Sequence, residues 1–475
     1  MRRAVRVVSA LVGAAFLAGC ASLGIDDALK SINTSASQFT GGNLELSRTE
    51  EQQKARAGLS QELLSKPLSQ DDAVRLALAN SPTVQALVAQ SWADIAAANQ
   101  AGRMPNPVFT FERFRLGDEL EIGRLLSFGL VDLLLLPKRV SIAESLAAQA
   151  QVQLTGAVVD QVTQVRQAWV RAVAAQQSLK YAEQVKESAE ASAELARRMQ
   201  AVGNFSKLQR ARQQVFYADA TTQLASARHA TTAAREELTR ALGLTDVQAA
   251  QLKLPERLPD LPGAPREASQ VASAAGEQRL DIQQAKAQLE VAGKSQGINL
   301  LSTFIDVDAG YRHDTVFDNA GGGSATRRGW EFDIQLPLFD WGTARRDALN
   351  AQALAAANRY DAAVRGATSQ LRENYSAYRT AYDIARHYRD EIVPLRQAMA
   401  DENVLRYNGM LIGVFELLAE ARDQIASVTS AINAQQQFWL ADASLKAAVI
   451  GRPMAGMTSL SSSSPASTSG AGAAH

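Results

Sequence analysis

The chain has a single cysteine, Cys20, in 475 residues, so no intrachain disulfide can brace its fold. Its four histidines, His229, His313, His387 and His475, are too scattered for a zinc ligand set. No run reaches the ~18 consecutive apolar residues of a membrane-crossing helix. Neither sign of charge is in excess, with 49 basic against 49 acidic side chains, so bulk charge draws the chain to no nucleic acid. The glycine-rich Gly321–Ser324 lacks the lysine of a phosphate loop and reads as an external loop. These gaps leave no candidate catalytic residue, metal or cofactor. Proline is missing from Lys138 to Gln200, and glycine occurs there once, at Gly156. About sixty residues of helix would span on the order of 90 Å.

The N-terminus carries Arg2, Arg3 and Arg6, an apolar run from Val7 to Leu17, and then Leu17-Ala18-Gly19-Cys20. That is a secretory signal over 1–19, too short to span a bilayer as a stable helix. Its end resembles a lipoprotein box, which implies that Cys20 becomes the acylated first residue of the mature chain. Ala21 then implies sorting to an outer membrane.

Internal repetition organises the rest. Glu144–Ala150 (ESLAAQA) is echoed by Asp347–Ala353 (DALNAQA) at a spacing of 203, and Gln164–Trp169 by Gln370–Tyr375 at 206. Gly203 and Gly409 keep the spacing of 206. The expected organisation is therefore a lipidated segment over 20–66 and one repeat over 67–244. A proline-containing link over 245–270, a second repeat over 271–452 and a Ser/Ala-rich disordered tail over 453–475 follow. Each repeat reads helix, strand, strand, helix, helix.

The strands carry the most information. In Trp330–Leu336 (WEFDIQL), Trp330, Phe332, Ile334 and Leu336 alternate with Glu331, Asp333 and Gln335. In FIDVDAGYR, Ile305, Val307, Ala309 and Tyr311 alternate with Asp306, Asp308, Gly310 and Arg312. VFTFERF and LLSFGLVDLLLLP fill the same places in the first repeat, and LVDLLLL could itself pass for a buried strand. One oily and one polar edge over about ten residues suits a stave between lipid and water. A soluble sheet with one buried face is the alternative. Two isolated hairpins among long helices weigh against it, since a lone hairpin is barely stable in water. A bilayer forbids open sheet edges. Four strands are too few to close a barrel, which takes about eight, so the barrel would be shared between chains.

The helices carry apolar seams: Val158, Val162, Val165, Trp169 and Ala172, then Val414, Leu418, Ala421, Ile425, Val428 and Ile432. Spacings of three and four specify long helix-on-helix packing.

With these features, DDAVRLALANSPTVQAL before the first strand and LPLFDWGTARRDA after the fourth, the chain resembles the TolC-type outer-membrane factors, lipoprotein branch. The likeness covers about residues 66 to 452. It implies a mainly α fold with a membrane β-barrel: coiled-coil helices form a periplasmic tunnel, and four strands per chain join a twelve-stranded barrel in a homotrimer. It implies passive export of small molecules or metal ions across the outer membrane, with a periplasmic adaptor and an inner-membrane pump of RND or ABC type as partners. Adaptor contact falls on Val202, Gly203, Asn204 and Ser206 at one hairpin turn and on Asn408, Gly409 and Met410 at the other. Both glycines also permit tight turns. Glu416 and Glu420 stand nearest the acidic residues that narrow the entrance in the family, or are a plain solvated face. Asp306, Asp308, Glu331 and Asp333 are expected to line the pore rather than act as acid and base. A type I protein-secretion duct, and a lipid-anchored structural coiled coil of the periplasm, remain open as alternatives.

Overall fold

The computed structural model describes residues 24–35, 37–275, 279–302, 306–318, 321–335 and 339–453. The signal segment, Cys20 and all but the first residue of the 453–475 tail lie outside these, as do Ile305 and Leu336. The chain divides into two units. The first takes Met1–Arg166, Glu236–Leu254 and Gly276–Thr368; the second takes Gln167–Arg235, Pro255–Ala275 and Ser369–His475. Each sequence repeat contributes to both units, so the halves of the sequence are not the halves in space.

The first unit opens with α1 (Ile25–Ser35), a single turn at Ser37–Thr40, α2 (Glu50–Leu64), α3 (Gln70–Asn80) and α4 (Pro82–Ala101). Local chemistry sets these boundaries. Thr49 and Gln52 close a reciprocal capping box on α2, the Ser69 hydroxyl accepts from the Asp72 amide 3.1 Å away, and Pro82 occupies the first turn of α4, where no amide donor is needed. Leu68, Val74, Leu76, Val88, Val158 and Leu242 are fully or nearly fully buried in this unit.

Strands β1 (Val108–Leu116), β2 (Glu119–Gly129), β3 (Asp306–Asp318) and β4 (Gly323–Gln335) form one antiparallel sheet in that order. The two repeats meet where β2 pairs with β3. Two boundaries differ from those expected. LVDLLLL is helical: α5 (Leu130–Ala201) starts directly after Gly129, which pairs with Asp308 near the end of β3. Past that point little strand is left to pair with, and a leucine-rich run with one β-branched residue takes the helix that leucine prefers. At the other hairpin, Gly323 and Ser324 are not loop but the first residues of β4, and GSATRR pairs along β3 up to Asp318↔Gly323. The cross-strand partners Thr315↔Thr326 and Asp314↔Arg327 extend the ladder.

Between the strands, α5, α6 (Lys207–Leu242), α7 (Asp246–Gln251), α8 (Ala268–Ala274) and α9 (Leu280–Ser302) follow in order. After β4 come α10 (Thr343–His387), a π-helical stretch Tyr388–Ile392, α11 (Val393–Asn408) and α12 (Val414–Val449). Among the described residues no helix is long and apolar enough to cross a membrane. The core of the second unit is aromatic. Phe438 lies 5.6 Å from Tyr378 and 5.7 Å from Tyr382, ring centre to ring centre. The proline-containing link packs on it through Leu261, and Tyr382 Oη donates to the carbonyls of Pro262 and Gly263 at 3.0 and 3.2 Å. Trp439 Nε1 donates to the Pro259 carbonyl at 3.0 Å, so an irregular segment finds its hydrogen bonds on the helices beside it.

Candidate functional site

Alternation sorts the sheet into two chemically different faces. On one, the rows across the strands are Val307–Ile334, then Phe128–Ala309–Phe332, then Phe109–Leu126–Tyr311–Trp330. Trp330, Phe332, Ile334 and Phe109 are each more than half exposed, an apolar surface that no part of the chain covers among the described residues. Trp330 and Tyr311 meet edge to face at 5.5 Å.

The opposite face is ionic at its centre, although along β1 it also exposes Val108, Phe114 and Leu116. Arg312 donates to Glu112 at 2.5 Å, to Glu331 at 3.0 Å and to Asp314 at 3.1 Å, linking β1, β3 and β4. Arg327 donates to Glu121 on β2 at 2.5 Å and lies 3.7 Å from Asp314. The two guanidiniums therefore tie all four strands together. Gly123 makes this possible: a Cβ there would come within 3.2 Å of the Glu112 carboxylate and 3.3 Å of Asp314. Glu331, Asp308 and Asp333 lie on this face, and Asp306 holds the register position opposite Gln335. Asp308 and Asp333 are direct cross-strand partners, a like-charge pairing that costs stability unless water solvates it. The sequence places Arg312 on the polar edge of its strand but does not mark Arg327, Glu112, Glu121 and Asp314 as its network. Their signal is an Arg and an Asp two apart on one strand, legible only once the register is known.

The second unit holds both hairpin turns. Val202, Gly203, Asn204 and Ser206 join α5 to α6; Asn408, Gly409 and Met410 join α11 to α12. Both turns are the same motif. The Asn204 amide bonds back to Met199 and Gly203 to Gln200; Leu411 bonds to Arg406 and Met410 to Tyr407. The residue in the left-handed conformation is Gly203 (φ +83°) in the first and Met410 (φ +57°) in the second, whereas Gly409 has an ordinary φ of −77°. Gly203 therefore corresponds to Met410, at a spacing of 207 rather than 206, and Gly409 does not supply the turn's special backbone. The extra residue is accommodated at Tyr388–Ile392, where the wider π turn takes up one more residue than an α turn. Phe205 and Ile412, also 207 apart, are the buried plugs of the two tips. Phe205 stacks 4.5 Å from Phe415, which brings the tips together. Val202 and Leu411 are each about 70% exposed and Met410 is 93% exposed.

Behind the tips the charges are paired. Glu194 accepts from Arg197 and Arg198, which pull its carboxyl down to about 2. Glu420 accepts from Arg396 at 3.2 Å and keeps only 13% of its side chain exposed, and Arg396 also reaches Asp423 at 3.5 Å. Glu416 is exposed and makes no ion pair among the described residues. A concavity of about 550 Å³ between α5, α6 and α12 is lined mainly by apolar groups such as Tyr181, Val185 and Ile425, with Arg422 at its wall. Burial lowers the Arg422 pKa. Among the described residues no cluster of histidine, cysteine and carboxylate could hold a metal ion.

No family model and no curated protein sequence matches the chain. Solved structures do. A membrane protein from Pseudomonas aeruginosa superposes with a TM-score of 0.66 at 19% identity, over 82% of this chain and 93% of that one. The outer membrane protein VceC of Vibrio cholerae gives 0.65 at 15% identity, over 84% and 96%. The MtrE outer membrane channel of Neisseria gonorrhoeae, in its open state, gives 0.63 at 18% identity, over 83% and 89%. The fold is thus that of the TolC-type outer-membrane channels over about four-fifths of the chain.

Proposed function

From a chain with the fold of TolC-type outer-membrane channels, we propose one third of a trimeric efflux duct, set in the outer membrane and anchored there by an acyl group on Cys20. The observation that carries this is an open four-stranded sheet, apolar and exposed on one face, ionic on the other, with β1 and β4 unpaired along their outer edges. Such edges cannot stay open in lipid. Pairing β4 of one chain with β1 of the next closes them, and three chains of four strands give twelve. The apolar rows then meet hydrocarbon. Arg312, Glu331, Asp333, Asp308 and Asp306 line the aqueous interior.

The exposed apolar tips, Val202, Met410 and Leu411 among them, are the surface offered to a periplasmic adaptor, together with Gly203, Asn204, Ser206, Asn408 and Gly409. Glu416, unpaired and exposed, is the better candidate for the entrance constriction. Glu420, engaged by Arg396 within its own hairpin, acts as its support. An inner-membrane pump of RND or ABC type would drive transport, and the chain itself catalyses nothing.

The test is single-channel conductance of the purified full chain in a planar bilayer, with its oligomeric mass measured in parallel. A trimer passing small, gated currents that change on Glu416→Ala supports the duct and its entrance. A monomer that does not insert refutes the shared barrel.

A further inference from the structure

On the apolar face of the sheet, beyond the Trp330 row and toward the β1–β2 and β3–β4 turns, the composition changes abruptly. The next rows are Phe111–Arg124–His313–Arg328, then Arg113–Ile122–Thr315–Thr326, then Arg115–Leu120–Phe317–Ser324. This face carries four arginines and no carboxylate among the described residues of the strands. The carboxylates Glu112, Glu119, Glu121, Asp308, Asp314, Asp318, Glu331 and Asp333 all stand on the other face, and Asp306 shares their register. Arg113, Arg115 and Arg328 make no ion pair among the described residues, and Arg124 reaches only the ring of His313, at 3.5 Å. The two arginines of the ionic face are, by contrast, fully engaged with acids.

Taking the apolar rows as lipid-facing, which rests on the proposed barrel, these arginines stand at one edge of the hydrocarbon. Six residues separate Ile334 from Arg328, about 20 Å of strand and about 15 Å of height at the usual barrel tilt. The outward apolar band of an outer-membrane barrel is about 25 Å tall and ends in aromatic girdles. Tyr311 and Trp330 supply such aromatics directly beneath the first basic row. A guanidinium at that height cannot stay in hydrocarbon and finds its partner in a phosphate, which it binds bidentately. The arginines also come in pairs. Arg113 and Arg115 are one row apart on β1, about 7 Å, and Arg124 and Arg328 flank His313 across two inter-strand gaps, about 10 Å.

We propose that this basic rim binds the phosphorylated headgroups of the bilayer leaflet nearest the β1–β2 and β3–β4 turns, with preference for lipids that carry two phosphates. In a trimer the rim would present twelve arginines, four from each of three chains.

The test uses the full chain reconstituted into nanodiscs of phosphatidylcholine containing a minor fraction of a diphosphorylated glucosamine lipid, with lipids retained by the protein counted by native mass spectrometry. The wild-type chain should retain the diphosphorylated lipid preferentially, and each arginine removed should reduce that enrichment about fivefold. The variant Arg113→Gln/Arg115→Gln/Arg124→Gln/Arg328→Gln should insert in phosphatidylcholine as well as wild type yet show no enrichment. If that variant fails to assemble, the pairs Arg113→Gln/Arg115→Gln and Arg124→Gln/Arg328→Gln carry the same comparison. Equal retention of both lipids by the wild type, or enrichment undiminished in the variants, overturns the rim while leaving the barrel intact. Displacement of the lipid by inorganic phosphate at equal phosphate concentration would mark a soluble-anion site and overturn it as well. Failure of the wild type to insert into any bilayer refutes the barrel itself, and the rim with it.

Discussion

Replacing Arg312 by leucine should cost the sheet about 2 kcal/mol, and the figure follows from what the guanidinium touches. It neutralises Glu112, Glu331 and Asp314 from three strands, and Asp314 is the one that matters most, with 4% of its side chain exposed. Removing one partner of a fully buried pair costs about 3–5 kcal/mol, because a charge is left behind uncompensated. Here Arg312, Glu112 and Glu331 each keep about a third of their side-chain surface, so water repays part of the loss. Asp314 also retains Arg327 at 3.7 Å. Halving the buried figure on these two grounds gives the ~2 kcal/mol. The assay is the temperature at which the folded, gel-retarded oligomer converts to unfolded chain in detergent. A loss of this size should lower it by roughly 4 °C. Adding Asp314→Asn to Arg312→Leu removes the stranded charge and should recover most of the drop. A shift below about 0.5 kcal/mol, or a double variant less stable than the single, would refute the view that the ionic face is held by compensation at Asp314.

Other perturbations separate the remaining contributions. Met410→Gly should stabilise the second hairpin by about 1 kcal/mol in thermal melts, because a left-handed methionine bears a Cβ clash that glycine does not. Gly203→Ala should lose a similar amount, whereas Gly409→Ala should be near neutral; a loss at Gly409 as large as at Gly203 would contradict the assigned turn. Tyr382→Phe should lower unfolding stability by about 1–2 kcal/mol by orphaning the Pro262 and Gly263 carbonyls, with limited proteolysis of the link as a second readout. Glu194 has a depressed carboxyl pKa when folded, so its stabilisation is present above the ordinary glutamate value of 4.5 and fades as pH falls toward 2. Glu194→Gln should therefore melt lower than wild type at neutral pH, and the gap should close in melts near the lower end of that window.

Much of this architecture is legible in the residues, for physical reasons. Trp330, Phe332 and Ile334 alternate cleanly because each side of β4 is exposed to a different surrounding, so every second residue is constrained. The helical seams are legible because a period near 3.5 survives over dozens of residues. Where two structures compete for the same residues, the sequence is silent. LVDLLLL suits a strand or a helix equally, and the end of the β2–β3 ladder decides it. Gly409 looked like the turn residue because the repeat places it opposite Gly203. The one-residue offset absorbed at Tyr388–Ile392 moves the left-handed position to Met410, and no local pattern announces a π turn. Likewise the ion network joins residues some 200 positions apart, and only the strand register makes neighbours of Glu112 and Arg312.

In the proposed barrel, the separation of charge between the two faces would also act as a proofreading device for assembly. A strand that pairs one residue out of register turns every side chain to the opposite side. For β4 such a slip would bring Glu331 and Asp333 to the hydrocarbon and bury Trp330, Phe332 and Ile334 among carboxylates. An arginine or lysine facing lipid at mid-depth costs about 2–4 kcal/mol, and a carboxylate somewhat less. Across three copies of the proposed barrel these six acids would leave the misregistered form poorer by several kcal/mol on this count alone. In the proposed barrel the lipid itself would thus reject the wrong alignment, and a seam between identical chains, which no covalent turn can hold in place, would be kept in step by the medium around it.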